Sequence, residues 1–247
     1  MASGSTPSTD CIRVHRLQKA AVGAEIFCSH LFVEITRIQV VLNKYKTKKE
    51  GAVAMIISID HGNKQIKTLH RTFTSGLCES DTHPPFGRDV LFYNGKYYTL
   101  SDQRIPYMRD KTADERFFIL TLFAIGFELR RILPTENPVR VQLCVGLPPA
   151  HYGTLYKKFE EYFLGRGQLD FQMDGVPYSI LITEAECFPQ AYAAAMPVFQ
   201  KLQQLPKAII VDIGGFTALS YEIYSHDIFI RLNESFLIEG NRNIMID

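Results

Sequence analysis

Two short stretches hold the residues of this 247-residue chain whose types and spacing best suit chemistry. The first, Met55–Lys67, reads Met-Ile-Ile-Ser-Ile-Asp-His-Gly-Asn-Lys-Gln-Ile-Lys, and the second, Ala208–Thr217, reads Ala-Ile-Ile-Val-Asp-Ile-Gly-Gly-Phe-Thr. In each, a β-branched run of strand length stops at an aspartate, Asp60 or Asp212. Glycine and small polar residues follow: Gly62 and Asn63 in the first, Gly214, Gly215 and Thr217 in the second. Glycine lets the backbone turn sharply and bring amide N–H groups up to an anion, while an aspartate at a strand end can hold a hydrated cation. That is the chemistry of a magnesium-bound polyphosphate. One Asp-x-Gly alone is usually only a turn. Two of them after equivalent strands, with mixed α/β sequence between, point to a repeated device.

The elements that must position these residues follow from local patterns. Gln65–Arg71 reads as a return strand, so the first loop is a hairpin turn and not a phosphate loop that opens a helix. Thr72–Arg88, with Pro84 and Pro85, reads as a loop. Asn94-Gly95 between Val90–Tyr93 and Lys96–Leu100, and Asp174-Gly175 between Leu169–Gln172 and Val176–Thr183, each predict a hairpin with a tight primed turn. Thr112-Ala-Asp-Glu115 has capping-box spacing and predicts a helix over Ala113–Leu133, ended by Pro134 and Pro138. That helix is apolar on most faces, which calls for burial on both sides. Val139–Val145 predicts a strand closing on Gly146-Leu-Pro-Pro149, followed by a helix over Ala150–Leu164 stopped at Gly165. Pro189 suits a helical first turn, so Pro189–Leu205 is expected to be helical with a break at Pro197. Tyr221–Tyr224 and Ile228–Leu232 read as strands, after which the sequence turns polar.

The bulk properties exclude several classes. With 27 basic and 26 acidic side chains the net charge is +1, so no global field draws the chain to nucleic acid or an anionic membrane. Residues 1–54 carry eight Lys/Arg against four Asp/Glu, so the remainder is mildly acidic. The basic run Lys44–Lys49 reads as a solvated connector. Ala20–Leu42, a helix or two strands, is interrupted by Glu25, His30, Glu34 and Arg37, which argues against a membrane span. Five cysteines form no C-x-x-C pair, fitting a reducing cytoplasm, and the seven histidines show no metal-ligand spacing.

From Met55 to about Tyr224 the chain resembles the ParM/StbA plasmid-segregation group of actin-like ATPases, within the actin, sugar-kinase and heat-shock-chaperone ATPase superfamily. The residues that carry the resemblance are Asp60-His-Gly-Asn63 with Lys67, Tyr97–Leu122 with Arg109-Asp-Lys-Thr112, Gly146-Leu-Pro148, Glu186-Cys-Phe-Pro189 with Gln190, and Asp212-Ile-Gly-Gly-Phe-Thr217. The resemblance implies an α/β, actin-like ATPase (ribonuclease H-like) fold. It implies that Asp60 and Asp212 position Mg²⁺ through waters, that Gly62, Asn63, Gly214, Gly215 and Thr217 line the two phosphate loops, and that Lys67 neutralises phosphate charge. Glu186 is similar to the family carboxylate that orients the attacking water, with Gln190 the competing candidate. Without the family, Lys67 is equally an exposed strand lysine and Glu186 a partly exposed glutamate at a helix entrance. The implied cofactors are ATP or GTP with Mg²⁺. The implied partners are further copies of the chain in a filament and an adaptor protein bound to centromere-like DNA, with neither direct nucleic-acid binding nor a membrane.

Departures from the family pattern shape the expected organisation. After Gly215 the only glycine is Gly240, so the later Gly-Gly adenosine segment is missing, and Leu219 stands where relatives often carry aspartate. The expected division is an N-terminal extension over 1–54, disordered or non-native, a complete first lobe over 55–204, and a truncated second lobe over 205–247. Two other readings compete with a filament-forming ATPase: a small-molecule kinase on the same core, for which no sugar-pocket signature is visible, and an inactive truncated interaction protein.

Overall fold

The structure, a computed structural model, describes residues 54–132 and 136–190, and the backbone of 207–213, 217–224 and 231–237. The expected N-terminal extension, the helix after Gln190, Gly214 and Gly215 lie outside the described residues, as do the side chains of Asp212 and Thr217.

Strand β1 (Met55–His61) turns back into β2 (Gln65–Lys67) and then β3 (Thr72–Thr74) as an antiparallel meander. β4 (Leu77–Ser80), β5 (Leu91–Tyr93) and β6 (Lys96–Leu100) follow. Helix α1 (Arg116–Leu129) leads to β7 (Val139–Leu147), and α2 (Pro149–Phe163) to β8 (Gln168–Met173) and the long β9 (Val176–Pro189). These nine strands form one sheet in the order β3-β2-β1-β7-β9-β8-β5-β6-β4. The middle of it, β1-β7-β9, is parallel, and the other pairings are antiparallel. A second sheet of β10 (Lys207–Ile213), β11 (Thr217–Tyr224) and β12 (Arg231–Leu237) is antiparallel throughout.

The core follows from the apolar pattern. All of α1 from Phe117 to Leu129 is buried, because this helix presents apolar side chains all round and must be covered on both sides. His61, Ile57 and Ile59 of β1 meet the helices on one face, with the His61 ring against Phe117, Phe159 and Phe163. Both expected hairpin turns form: Asn94-Gly95 and Asp174-Gly175 take positive φ at both positions (54° and 80°, 48° and 78°), as a primed turn requires.

Three expectations need correction. The capping box does not form. Thr112 instead gives its N–H and its hydroxyl to Oδ1 of Asp110 at 3.0 and 2.7 Å, and α1 starts at Arg116, three residues later than expected. The aspartate side chain competes for the same local donors and wins. Asp114 then accepts the Arg116 N–H at 3.0 Å. The expected loop Thr72–Arg88 contains β3 and β4, too short to leave a periodic signal. The strand expected to stop at Thr183 runs on to Pro189, so Glu186 lies in a strand and not at a helix entrance. The expected strand Ile228–Leu232 lies in part outside the described residues, and the strand described there is β12, Arg231–Leu237.

Candidate nucleotide and metal site

Asp60, Gly146 and Phe188 lie in one row at the C-terminal ends of the parallel strands β1, β7 and β9. Ligands of open α/β sheets bind beyond such strand ends. The Asp60 carboxylate is 5% exposed. Its Oδ1 accepts a hydrogen bond from Nε2 of Gln190 at 2.6 Å, and its Oδ2 is 3.8 Å from Nζ of Lys67, the residue directly opposite on β2. The hairpin therefore sets the aspartate–lysine pair by register, and β9 delivers Gln190 from 130 residues away.

The turn between β1 and β2 is tight. A Cβ on Gly62 would lie 2.5 Å from the Gln65 carbonyl oxygen, so only glycine fits there. The Gly62 carbonyl accepts a hydrogen bond from Ser75 Oγ at 2.6 Å, and the Lys64 carbonyl one from the Ser75 N–H at 3.0 Å. Oδ1 of Asn63 is buried and has no partner. An orphaned amide beside an aspartate–lysine pair fits a site built for a phosphate and its cation.

The second aspartate-ended strand repeats the first in register. Asp60 pairs with Lys67 and His61 with Ile66; Asp212 pairs with Leu219 and Ile213 with Ala218. Each aspartate thus faces the residue seven positions on. Gly62, Asn63 and Gln65 correspond in position to Gly214, Gly215 and Thr217. The lysine has no counterpart, since Leu219 occupies its register position.

Lys111 is a member of the site that the sequence reading left without a role. It is 2% exposed, with Nζ 5.5 Å from the Phe117 ring centroid. Burial lowers its pKa to about 8, against the opposing attraction of Asp60. Burial, together with Glu160, pushes the Cys187 thiol up to about 12, so it stays neutral. His61 is neutral as well: burial, then Lys111, brings it down to about 3. Thr121 donates its hydroxyl to the Phe117 carbonyl at 2.8 Å, which leaves its oxygen to accept from Nε2 of His61 at 2.8 Å. The proton of the imidazole is therefore on Nε2.

Glu186 shares a sheet face with Asp60, since Ser58, Cys144 and Glu186 form the row two residues before Asp60, Gly146 and Phe188. Two strand spacings and two residues along the strand separate their Cα atoms by about 12 Å. Its side chain is exposed, and partial burial, then Glu160 and Glu184, raises its pKa. The structure thus gathers Asp60, Gly62, Asn63, Lys67 and Gln190 at one point, with Glu186 a bound molecule's length away. A separate cavity of about 760 Å³, lined by Phe92, Tyr93, Leu129, Phe171 and Tyr178 among others, contains none of these residues. Among the described residues no cluster of three or more His, Cys, Asp or Glu could hold a metal ion. No helix among them is long and apolar enough to cross a membrane.

A parallel-centred sheet with an aspartate-ended β-hairpin at its strand ends defines the actin-like fold, here with its first lobe and part of a second. The chain belongs to the actin-like proteins, matching the model of the actin-like protein N-terminal domain over residues 58–192. No curated protein sequence matches the chain. Among solved structures it is similar to the apo psk41 parM protein (17% identity, TM-score 0.56, covering 74% of this chain and 65% of that one). It is similar to Ta0583, an archaeal actin homolog (17% identity, TM-score 0.61, 74% and 62% covered). It is also similar to the AlfA filament bound to AMPPNP (15% identity, TM-score 0.56, 76% and 72% covered); AlfA is from B. subtilis plasmid pLS32. The chain thus spans somewhat less than two thirds of the parM and Ta0583 chains.

Proposed function

We propose that the chain is an actin-like nucleotide-binding protein of the plasmid-segregation type. In this reading it binds ATP or GTP with Mg²⁺ and forms or joins nucleotide-dependent filaments that partition DNA in the cytoplasm through an adaptor on centromere-like DNA. The observation that carries it is Asp60 held between Lys67 and Gln190 at the ends of β1 and β9, within the matched N-terminal domain. Asp60 and Asp212 hold Mg²⁺ through waters, and Lys67 and the backbone of the two turns, including Gly62, Asn63, Gly214, Gly215 and Thr217, take the phosphates. Phosphoryl transfer needs charge stabilisation and in-line positioning more than covalent chemistry. Glu186 orients the attacking water. Gln190, already bonded to Asp60, holds the first phosphate turn in place. The similar structures support this reading: AlfA as a filament with AMPPNP, and Ta0583 in a complex with ADP.

Calorimetry with Mg-ATP and Mg-GTP tests the site. Binding that weakens on the order of a hundredfold in Asp60→Ala and Asp212→Ala supports it, since each removes a carboxylate that orders the cation. Undiminished binding in both variants rejects it. Sedimentation and light scattering with Mg-ATP test the filament separately: no polymer from this chain, or from a version whose second lobe is extended, removes that part of the reading.

A further inference from the structure

Two lysines, Lys67 and Lys111, act on the buried Asp60 at the end of the parallel strands. Asp60 already serves Lys67 and Gln190. Lys111, 2% exposed, makes no hydrogen bond or ion pair within the described residues, and its nearest named contact is the Phe117 ring. Its two neutral neighbours carry no charge to offset it. The Cys187 thiol is held in its protonated form, and His61 carries its single proton toward Thr121. An ammonium on a residue only 2% exposed, with no hydrogen-bonded counter-ion among the described residues, is costly to hold.

The local chain nevertheless enforces this burial. Asp110 clamps the backbone of Thr112 on one side and Lys158 on the other, at 3.0 and 2.6 Å, so the turn is fixed around Lys111. A second unpartnered group, Oδ1 of Asn63, lies in the adjacent phosphate-type turn. Its amide can present either its oxygen or its N–H₂ to a ligand. A ligand that pairs with both groups would complete them.

We propose that Lys111 is a ligand for a phosphoryl anion, a second cation beside Lys67 that meets a non-bridging oxygen of a bound polyphosphate. The inference rests on the phosphate-binding reading of Asp60 and adds a residue to it. The same chemistry would serve a nucleotide or free inorganic pyrophosphate. With the magnesium of a nucleotide held at Asp60, the two lysines face the remaining phosphate charge from the protein side.

The test uses the full chain, wild type and Lys111→Met, with Lys111→Gln where Met does not fold. Titration calorimetry with Mg-ATP and with pyrophosphate is read beside ligand-free melting curves. The expected result is a ligand-free melting temperature at or above wild type, because an uncompensated buried charge is gone. It comes with about tenfold or greater loss of Mg-ATP affinity, as removal of a charged hydrogen bond requires. Parallel loss for pyrophosphate identifies the polyphosphate alone as the ligand, and loss confined to Mg-ATP identifies the nucleotide; either supports the proposal. Affinity within twofold of wild type overturns the role of Lys111 while the nucleotide site stands. A lower ligand-free melting temperature in both variants also overturns it, since the lysine is then a structural member. Wild-type protein that binds neither ligand rejects the site as a whole.

Discussion

At the scale of single residues, the neighbours of Asp60 are set by burial as much as by charge. His61 sits inside an aromatic cage of Phe117, Phe159 and Phe163 and stays neutral down to about pH 3. The unfolded chain protonates this imidazole near 6.5, so between pH 6.5 and about 3 it takes up a proton that the folded chain refuses. Stability from this group is therefore complete above 6.5 and falls with pH through that window, at up to about 1.4 kcal/mol per pH unit. His61→Phe is expected to flatten the acid limb, because Thr121 keeps its bond to the Phe117 carbonyl. Urea midpoints between about pH 4 and about pH 7 read this directly, and a slope equal to wild type refutes it. Gly62 makes the opposite point, that geometry alone can dictate a residue. Gly62→Ala pushes a methyl into the Gln65 carbonyl oxygen and is expected to cost about 1–3 kcal/mol, measured by denaturant unfolding. Of this site, sequence exposes the members that punctuate strands: Asp60, Gly62 and, by hairpin register, Lys67. It hides Lys111, one lysine in a polar loop, whose burial depends on elements brought in from α1, β1 and β9.

At the scale of elements, α1 is held at its start by α2. The Tyr162 hydroxyl accepts the Phe118 N–H at 2.8 Å and donates to the Asp114 carbonyl at 2.7 Å, serving one of the orphan donors of the first helical turn. Arg166 lies 3.7 Å from the Phe118 ring centroid and forks onto both Glu115 oxygens at 2.7 and 3.0 Å. The helix start is thus fastened by residues about fifty positions downstream, which explains why a local capping box fails to describe it. Tyr162→Phe leaves the Phe118 N–H and the Asp114 carbonyl without this partner and is expected to cost about 1–3 kcal/mol, read from urea midpoints. No change in midpoint means water replaces the hydroxyl. The elements legible in sequence are those with strong local grammar: the two primed turns, the all-apolar helix, and the strands ending at Asp60 and Asp212. The extension of β9 to Pro189 was not legible, because its pairing with β7 along Gln142–Leu147 supplies what Glu184 and Glu186 lack as strand formers.

At the scale of the molecule, β7 is the axis of the first lobe. It is paired along its length with β1 on one side and β9 on the other, and it is buried from Val141 to Leu147. β3 and β4 close the two edges of the sheet with three and four residues. Amide hydrogen exchange is therefore expected to be slowest in β7 and its neighbours β1 and β9, and fast in β3 and β4. A slowest core in the β5–β6 hairpin would contradict this order. The candidate site sits where this rigid axis ends, with Asp60, Gly146 and Gln190 contributed by three strand ends and Lys111 by the approach to α1. A ligand bound there touches elements that the chain presents far apart in sequence. Mg-ATP is accordingly expected to slow exchange together at Gly62–Lys64, around Lys111 and near Gln190, leaving β5–β6 unchanged. Protection confined to the β5–β8–β9 cavity, around Tyr93 and Tyr178, would move the ligand away from Asp60 and with it the site.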